Sequence, residues 1–408
     1  MAQKRFGVWF VGAYGGVGTT TALGIAALKQ RLAARTGLVT ELDLFQSLDL
    51  AGFDQLVIGG HDIRQVGFLK AAQELAAKSG VFEEKLLHAC RSEFAEWDQN
   101  ICPGTVRGAG KAVAKLNSWG ETAASSPPWD IIQRLGADIE KFQARHRLAH
   151  VVVINLASTE PPFDLNESHR TWDRLTRSLQ KKNAAALPAS SLYAVAAISR
   201  GFSYVNFTPS LGSTVPAIEE LADETGSLYG GQDGKTGETL LKSVLAPMFR
   251  YRNLEILSWV GHNIFGNRDG LVLDDPANKA SKIKTKDQVI SQIVGYKPQT
   301  HVSIEYIESL DDWKTAWDHI HFRGFLGTKM ILQFTWQGCD SLLAAPLVID
   351  LARLAILEWS RGGHGLMRHL ACFFKRPLGV TTHNLFEQWR LLDEYVETAK
   401  RVAAPRKR

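Results

Sequence analysis

Residues 6–24 read FGVWFV followed by GAYGGVGTTTALG: an apolar run, a turn carrying Gly12, Gly15, Gly16 and Gly18, then threonines and helix formers. An apolar strand that breaks into glycines and restarts as a helix brings backbone amides and the positive end of a helix dipole to one point. That point suits a phosphate. A nucleotide-triphosphate P-loop would need a lysine next to Gly18, where Thr19 stands. A second near match at YGGQDGKTGET (229–239) has Gly234-Lys235-Thr236 but puts Tyr229 where the first glycine is required. Neither stretch is a P-loop. The spacing G-x-x-G-G-x-G is instead a loosened dinucleotide fingerprint, weighed against a plain strand-to-helix turn.

Such a fingerprint calls for an acidic residue to hold the adenine ribose. Glu41 and Asp62 are the candidates, and Asp62 is preferred because it ends the strand-like LVIGG, although it lies beyond the usual spacing.

Bulk properties narrow the class. The 408 residues favour two domains, and 45% hydrophobic with 22% charged residues is the balance of a soluble globular protein. No apolar run reaches the roughly 18 residues of a membrane span, and the short apolar N-terminal segment argues against a secretory leader. Cys90, Cys102, Cys339 and Cys372 are scattered without metal-ligand spacing, which points to a reducing cytoplasm and no metal. The net charge of +5 and the terminal PRKR (405–408) do not make a case for nucleic acid.

The N-terminal half alternates strands and helices: QLVIGG (55–60), a helical stretch over 66–146 with a loop at AASSPPW (123–129), HVVVINLAS (150–158), LYAVAAI (192–198) and SYVNF (203–207). Continuous apolar strands predict a doubly wound parallel α/β sheet of Rossmann type. After residue 250, LEILSWVG, THVSIEYIE and TKMILQFTW alternate apolar and polar residues, as a mixed sheet with one covered face does; APLVIDLARLAILEW and GLMRHLACFF read as helices.

Taken in order, GAYGGVGTT, LVIGGHDI, NLASTEPP, SLYAVAAISRGFSYVN, GGQDGKTGETLLKSVL, HNIFGNRDG, SKIKTK, DDWKTAWD, CDSLLAAPLVIDL and FFKRPL resemble the myo-inositol-1-phosphate synthase family in its compact prokaryotic form. The resemblance runs from residue 7 to about 379, and GQDGKTGETLLKS, GNRDG and DSLLAAPL are its most telling motifs. It implies NAD-dependent conversion of glucose 6-phosphate to inositol phosphate without net redox change: oxidation at C5, loss of a C6 proton, aldol closure onto C1 and return of the hydride.

The resemblance also implies roles. Lys282 would move the C5 hydroxyl proton, Lys286 would grip phosphate, and Lys314 and Lys375 would stabilise oxyanions, with Asp233 beside them. Fixed cations suit a reaction whose charge develops on oxygen. Lys282 and Lys286 are spaced to share one helix face, Lys279 and Lys284 match no family position, and an apolar setting would lower the Lys375 pKa. The dinucleotide would lie against Gly12, Tyr14, Gly15, Gly16, Val17, Gly18, Thr19, Asp62, Ser158, Thr159, Asp340 and Ser341. Substrate phosphate would sit on Thr236, Gly237, Glu238, Thr239, Asn267, Asp269 and Lys286. Simple helix capping by the threonines and by Asp340 is the plainer alternative.

Two departures stand out: His61 replaces a tryptophan and Glu238 replaces a glutamine, placing a carboxylate where phosphate is expected. A relative that cyclises fructose 6-phosphate, a net dehydrogenase with a Rossmann core and a non-catalytic NAD or sugar-phosphate sensor are the rival readings. The family organisation implies a homotetramer in the cytoplasm, with a Rossmann domain from residues 1–240 and 341–408 around a catalytic and oligomerisation insert, 241–340.

Overall fold

The computed structural model describes residues 3–119, 126–181, 187–267, 270 and 289–403. Its central sheet is built from β1 (Phe6–Val11), β2 (Leu56–Asp62), β3 (Ile101–Pro103), β4 (His150–Asn155), β5 (Ser203–Asn206), β6 (Leu228–Gly231) and, from the far end of the chain, β11 (Gly365–Leu366). The strand order is β11-β6-β5-β4-β1-β2-β3, every pair parallel. Order 3-2-1-4-5-6 is the doubly wound Rossmann arrangement, whose topological switch falls between β1 and β4.

Both faces of this sheet are covered. Phe6, Val8 and Phe10 point into one core, with residues of α1 (Gly16–Lys29), α2 (Phe68–Ser79), α4 (Arg91–Asp98), α11 (Asp340–Ser360) and α12 (Leu385–Ala403). Trp9 and Val11 point into the other, with α6 (Pro128–His146), α8 (Ala189–Ile198) and α9 (Pro216–Thr225). The period-2 alternation of the strand therefore feeds two separate cores, which is why β1 reads as an unbroken apolar run. Other helices include α3 (Glu84–Ala89), α5 (Lys111–Ala114), α7 (Trp172–Leu179) and α10 (Gly237–Tyr251).

A second sheet, β10-β9-β7-β8, joins β7 (Glu255–Phe265), β8 (Gln299–Tyr306), β9 (Trp313–Arg323) and β10 (Lys329–Cys339). Its inner face buries Ile256, Trp259 and Ile320 against Ala246 and Phe249 of α10. β10 runs directly into α11, which packs along α1. This junction carries the end of the second sheet to the glycine turn.

Several local expectations change. LYAVAAI is not a strand but the heart of α8, buried on every side. A short apolar run is ambiguous between strand and buried helix, and its three alanines tip the balance toward helix. GLMRHLACFF forms the short β11 and a 3-10 turn, Arg368–Phe373, rather than a helix. β9 lies across DDWKTAWD, which carried no strand expectation.

Candidate active site

The carboxyl ends of β1, β4 and β5 open into a cavity of about 320 Å3, closed opposite by the start of β9 and the start of α11. Gly12 leaves β1 at φ +85, and a β-carbon there would lie 3.1 Å from the backbone of Ala157. Only glycine lets the two segments at the switch point approach this closely. The turn ends at Gly15, which starts α1 with no side-chain cap, while the Thr19 and Thr20 hydroxyls are buried without a hydrogen-bond partner among the described residues. Uncapped amides, an orphaned hydroxyl on the cavity wall and a floor free of side chains fit a pyrophosphate. Gly16 faces α11 so closely that a β-carbon would meet Ser341 Oγ at 2.5 Å.

Asp62 ends β2 under this turn. Its Oδ2 accepts the Tyr14 amide at 2.6 Å and its Oδ1 the Arg64 amide at 2.7 Å. Burial raises its pKa, and these amides oppose the rise. Glu41, the other acidic candidate, is remote from the cavity: it is taken by Arg35 and Arg353, each at 2.7 Å. His61 lies wholly buried, its Nδ1 accepting the Trp9 indole N–H at 2.9 Å and its Nε2 3.3 Å from Asp138. Burial lowers its pKa, so the ring is neutral, with its proton on Nε2 toward Asp138. Its carbonyl accepts the Gly12 and Ala13 amides, holding the glycine turn to β2.

Of the anticipated dinucleotide residues, Gly12, Tyr14, Gly15, Gly16, Val17, Thr19, Asp62, Ser158, Thr159, Asp340 and Ser341 line the cavity. Gly18 does not; it is buried behind the turn.

The cations come from distant elements. Lys314, on β9, places its Nζ 4.9 Å above the Phe265 ring and 4.0 Å from Asp340 Oδ1. Lys375 donates to Asp233 Oδ1 at 2.9 Å, and its backbone amide donates to the Asp233 carbonyl at 2.7 Å. Asp233 itself adopts φ +65, a conformation that a short polar side chain tolerates. Lys375 thus sits at a polar junction rather than in an apolar pocket. Burial acts on the amine of Lys235, which is bonded to Gln388 and is pushed down to about 8. Lys282, Lys286 and Asp269 lie outside the described residues, as do Lys279, Lys284 and the PRKR tail.

Thr236 and Asn267 also line the cavity, whereas Gly237 and Glu238 do not. Glu238 points away from the cavity. Its carboxylate turns inward to Lys242 Nζ at 2.6 Å and to Asn263 Nδ2 at 2.9 Å, with both charged side chains at or below 1% exposure. The ion pair removes the repulsion that a carboxylate would exert on phosphate.

Thr239 opens instead on a second cavity of about 280 Å3, reached across Thr159, Glu160, Pro209, Asp233 and Lys375, which line both spaces. Two wall carboxylates escaped the sequence reading. Glu160 is gripped by the Ser190 amide at 2.6 Å and the Ser190 hydroxyl at 2.5 Å, and burial pushes its pKa up to about 7. Asp312 gathers Ser341 N, Cys339 Sγ and Asn267 Nδ2 at 2.8, 3.0 and 3.2 Å. It ties β9, β10 and α11 to the cavity. The acid pair before Trp313 in DDWKTAWD was the available signal for it.

The family model described as myo-inositol-1-phosphate synthase matches residues 6–397. An inositol-3-phosphate synthase of Bacteroides thetaiotaomicron is 32% identical over 96% of this chain and 95% of its own. The crystal structure of inositol-3-phosphate synthase from Caenorhabditis elegans superposes with a TM-score of 0.87 at 25% identity, covering 97% of this chain and 86% of that one. A myo-inositol-1-phosphate synthase-related protein from Thermotoga maritima shares the fold, with a TM-score of 0.77 at 23% identity over 96% and 98% of the two chains.

Proposed function

The chain belongs to the myo-inositol-1-phosphate synthase family, and from that premise we infer how its residues divide the work of cyclising glucose 6-phosphate to inositol 3-phosphate. The enzyme is an isomerase that uses NAD. Bound NAD would supply a reversible hydride acceptor for C5, with no net redox change.

The observation that carries the division of labour is the convergence of Lys314, Lys375 and the glycine turn on one cavity. In this reading Gly12, Tyr14, Gly15, Gly16, Val17 and Thr19 bind the pyrophosphate, and Ser158, Thr159, Asp340 and Ser341 flank the nicotinamide. Lys314 and Lys375 hold the oxyanions of enolisation and aldol closure. Their fixed position matters because preorganised cations act where charge develops without reorganising. Asp233, 2.9 Å from Lys375, orients that amine and can exchange a proton with it. Lys282 moves the C5 hydroxyl proton and Lys286, with Asp269, Thr236 and Thr239, meets the phosphate.

We extend the same reading to organisation. The Rossmann domain comprises residues 1–240 and 341–408, and 241–340 is the catalytic and oligomerisation insert; the separate second sheet supports this division. A homotetramer would use the outer face of that sheet, where Trp317 and Ile331 are 45% and 60% exposed. A cytoplasmic location accords with four free cysteines. No helix among the described residues is long and apolar enough to cross a membrane.

The test is incubation with NAD and glucose 6-phosphate, with fructose 6-phosphate in parallel, followed by phosphorus NMR and absorbance of reduced cofactor. A cyclitol phosphate from glucose 6-phosphate without accumulating NADH is expected. NADH rising with turnover would make the protein a net dehydrogenase.

A further inference from the structure

The second cavity contains a cation that the lysine chemistry does not use. Arg376 follows Lys375 on a segment zipped to the Asp233 turn: its amide donates to the Gln232 carbonyl at 3.1 Å and its carbonyl accepts the Gln232 amide at 2.9 Å. Lys375 lines both cavities, whereas Arg376 lines only the second. The guanidinium Nη2 donates to the Pro209 carbonyl at 2.9 Å, while its buried Nε–H has no acceptor among the described residues. A guanidinium held by its backbone on both sides, with a buried donor left over, is a preformed half of an anion site.

The other charges on these walls are spoken for. Asp233 is paired with Lys375, and Glu160 is bonded twice by Ser190, with burial favouring its neutral form. The hydroxyl-bearing Ser210, Thr214 and Thr239 complete a polar lining. Across the junction lies the cavity that receives the glycine turn. A sugar phosphate reaching from one cavity to the other would carry its carbon skeleton past Asp233 and Lys375.

We propose that Arg376 is the receptor for the substrate's phosphoryl group, seated in the second cavity, and that it makes the enzyme read phosphorylation of the hexose. This rests on the sugar-phosphate reading above and adds a residue to it. Arg376 is a binding residue here and takes no part in proton transfer.

The experiment compares wild type, Arg376→Ala and Arg376→Lys as holoenzymes, measuring kcat, KM for glucose 6-phosphate, inhibition by inorganic phosphate and NAD affinity by tryptophan fluorescence. Arg376→Ala should raise KM and the inorganic phosphate Ki together by tenfold or more, with NAD affinity within twofold; Arg376→Lys should recover part of both. A change below twofold in KM and Ki would overturn the proposal. So would an equal loss of NAD affinity, the mark of a residue that merely clips the Pro209 carbonyl. Should neither variant fold, phenylglyoxal labelling of the wild-type holoenzyme with peptide mapping decides: inorganic phosphate must protect Arg376, and failure to protect it refutes the site. A wild type that makes no cyclitol phosphate yet shows this protection would defeat the functional reading and keep Arg376 as an anion receptor.

Discussion

Replacing Lys242 by methionine tests whether Glu238 belongs to the interior or to the substrate. In the native chain the Lys242 Nζ and Glu238 Oε1 lie 2.6 Å apart with side-chain exposures of 1% and 0%, and the amine stands 6.0 Å from the Trp259 ring. Methionine fills much the same volume but removes the cation from beside Glu238, while Asn263 still donates to the carboxylate. Breaking a buried pair on one side costs about 3–5 kcal/mol. An independent bound comes from protonation: neutralising a carboxylate of ordinary pKa at pH 7 costs about 4 kcal/mol, at roughly 1.4 kcal/mol per unit.

The two values agree, and they fix the pH dependence. In the variant the folded-state pKa of Glu238 is raised, so the deficit is largest at neutral pH and shrinks toward zero as the pH falls to the ordinary carboxylate range. Urea unfolding followed by tryptophan fluorescence at pH 5 to 8 measures it. The double variant Glu238→Gln with Lys242→Met should regain most of the loss, since neither charge remains buried. Neither Glu238→Gln nor the double variant should move KM for glucose 6-phosphate by more than about twofold, because the carboxylate is absent from both cavity walls. A deficit under 1 kcal/mol, or a Glu238→Gln enzyme with normal stability and a KM changed tenfold, would refute the inward ion pair.

Gly16→Ala sets a methyl 2.5 Å from Ser341 Oγ at the glycine turn, and should weaken NAD at least tenfold in fluorescence titration while leaving the unfolding midpoint nearly unchanged. Lys314→Met and Lys375→Met should each lower kcat by roughly 10²–10³-fold in single-turnover assays while retaining NAD affinity, as expected when a preorganised charge is lost. Glu160, raised from 4.5 to about 7, contributes stability that is complete below pH 4.5 and lost as pH rises through 7, about 3 kcal/mol in all. Glu160→Gln should therefore flatten the decline of urea midpoint between pH 5 and 8; an unchanged slope would remove Glu160 as its source.

The parts of this fold legible in the sequence are those where one physical constraint acts alone. A strand buried on both faces must be apolar throughout, so β1, β2 and β4 announced themselves. The turn after β1 must be glycine where Gly12 meets Ala157, and that requirement survives any neighbour. α8 obeyed the same apolar rule as the strands but lies against the sheet rather than in it, and composition alone separates the two. β9 hid because it alternates tryptophan, alanine, aspartate and histidine, with Asp318 buried to accept the Trp259 indole N–H at 2.6 Å. A buried acid reads as surface until its partner is known.

The same limit explains which site residues could be found. Lys314 and Lys375 could be matched to roles within their motifs, whereas Glu160, Asp312 and Arg376, in motifs of the same set, have partners 30, 29 and 167 residues away that the sequence does not reveal. Glu238 shows the converse: beside Thr239 in sequence it looks like a phosphate ligand, yet one helical turn onward Lys242 supplies a counter-charge on the same helix face. With two side chains diverging from adjacent positions, one to the second cavity and one to the protein interior, the first turn of α10 can offer a hydroxyl to an anion while keeping its carboxylate out of reach. Lys242 and Asn263 thus hold the carboxylate on the interior side of α10. That is why a carboxylate next to Thr239 is compatible with a polar cavity that Thr239 lines and Glu238 does not.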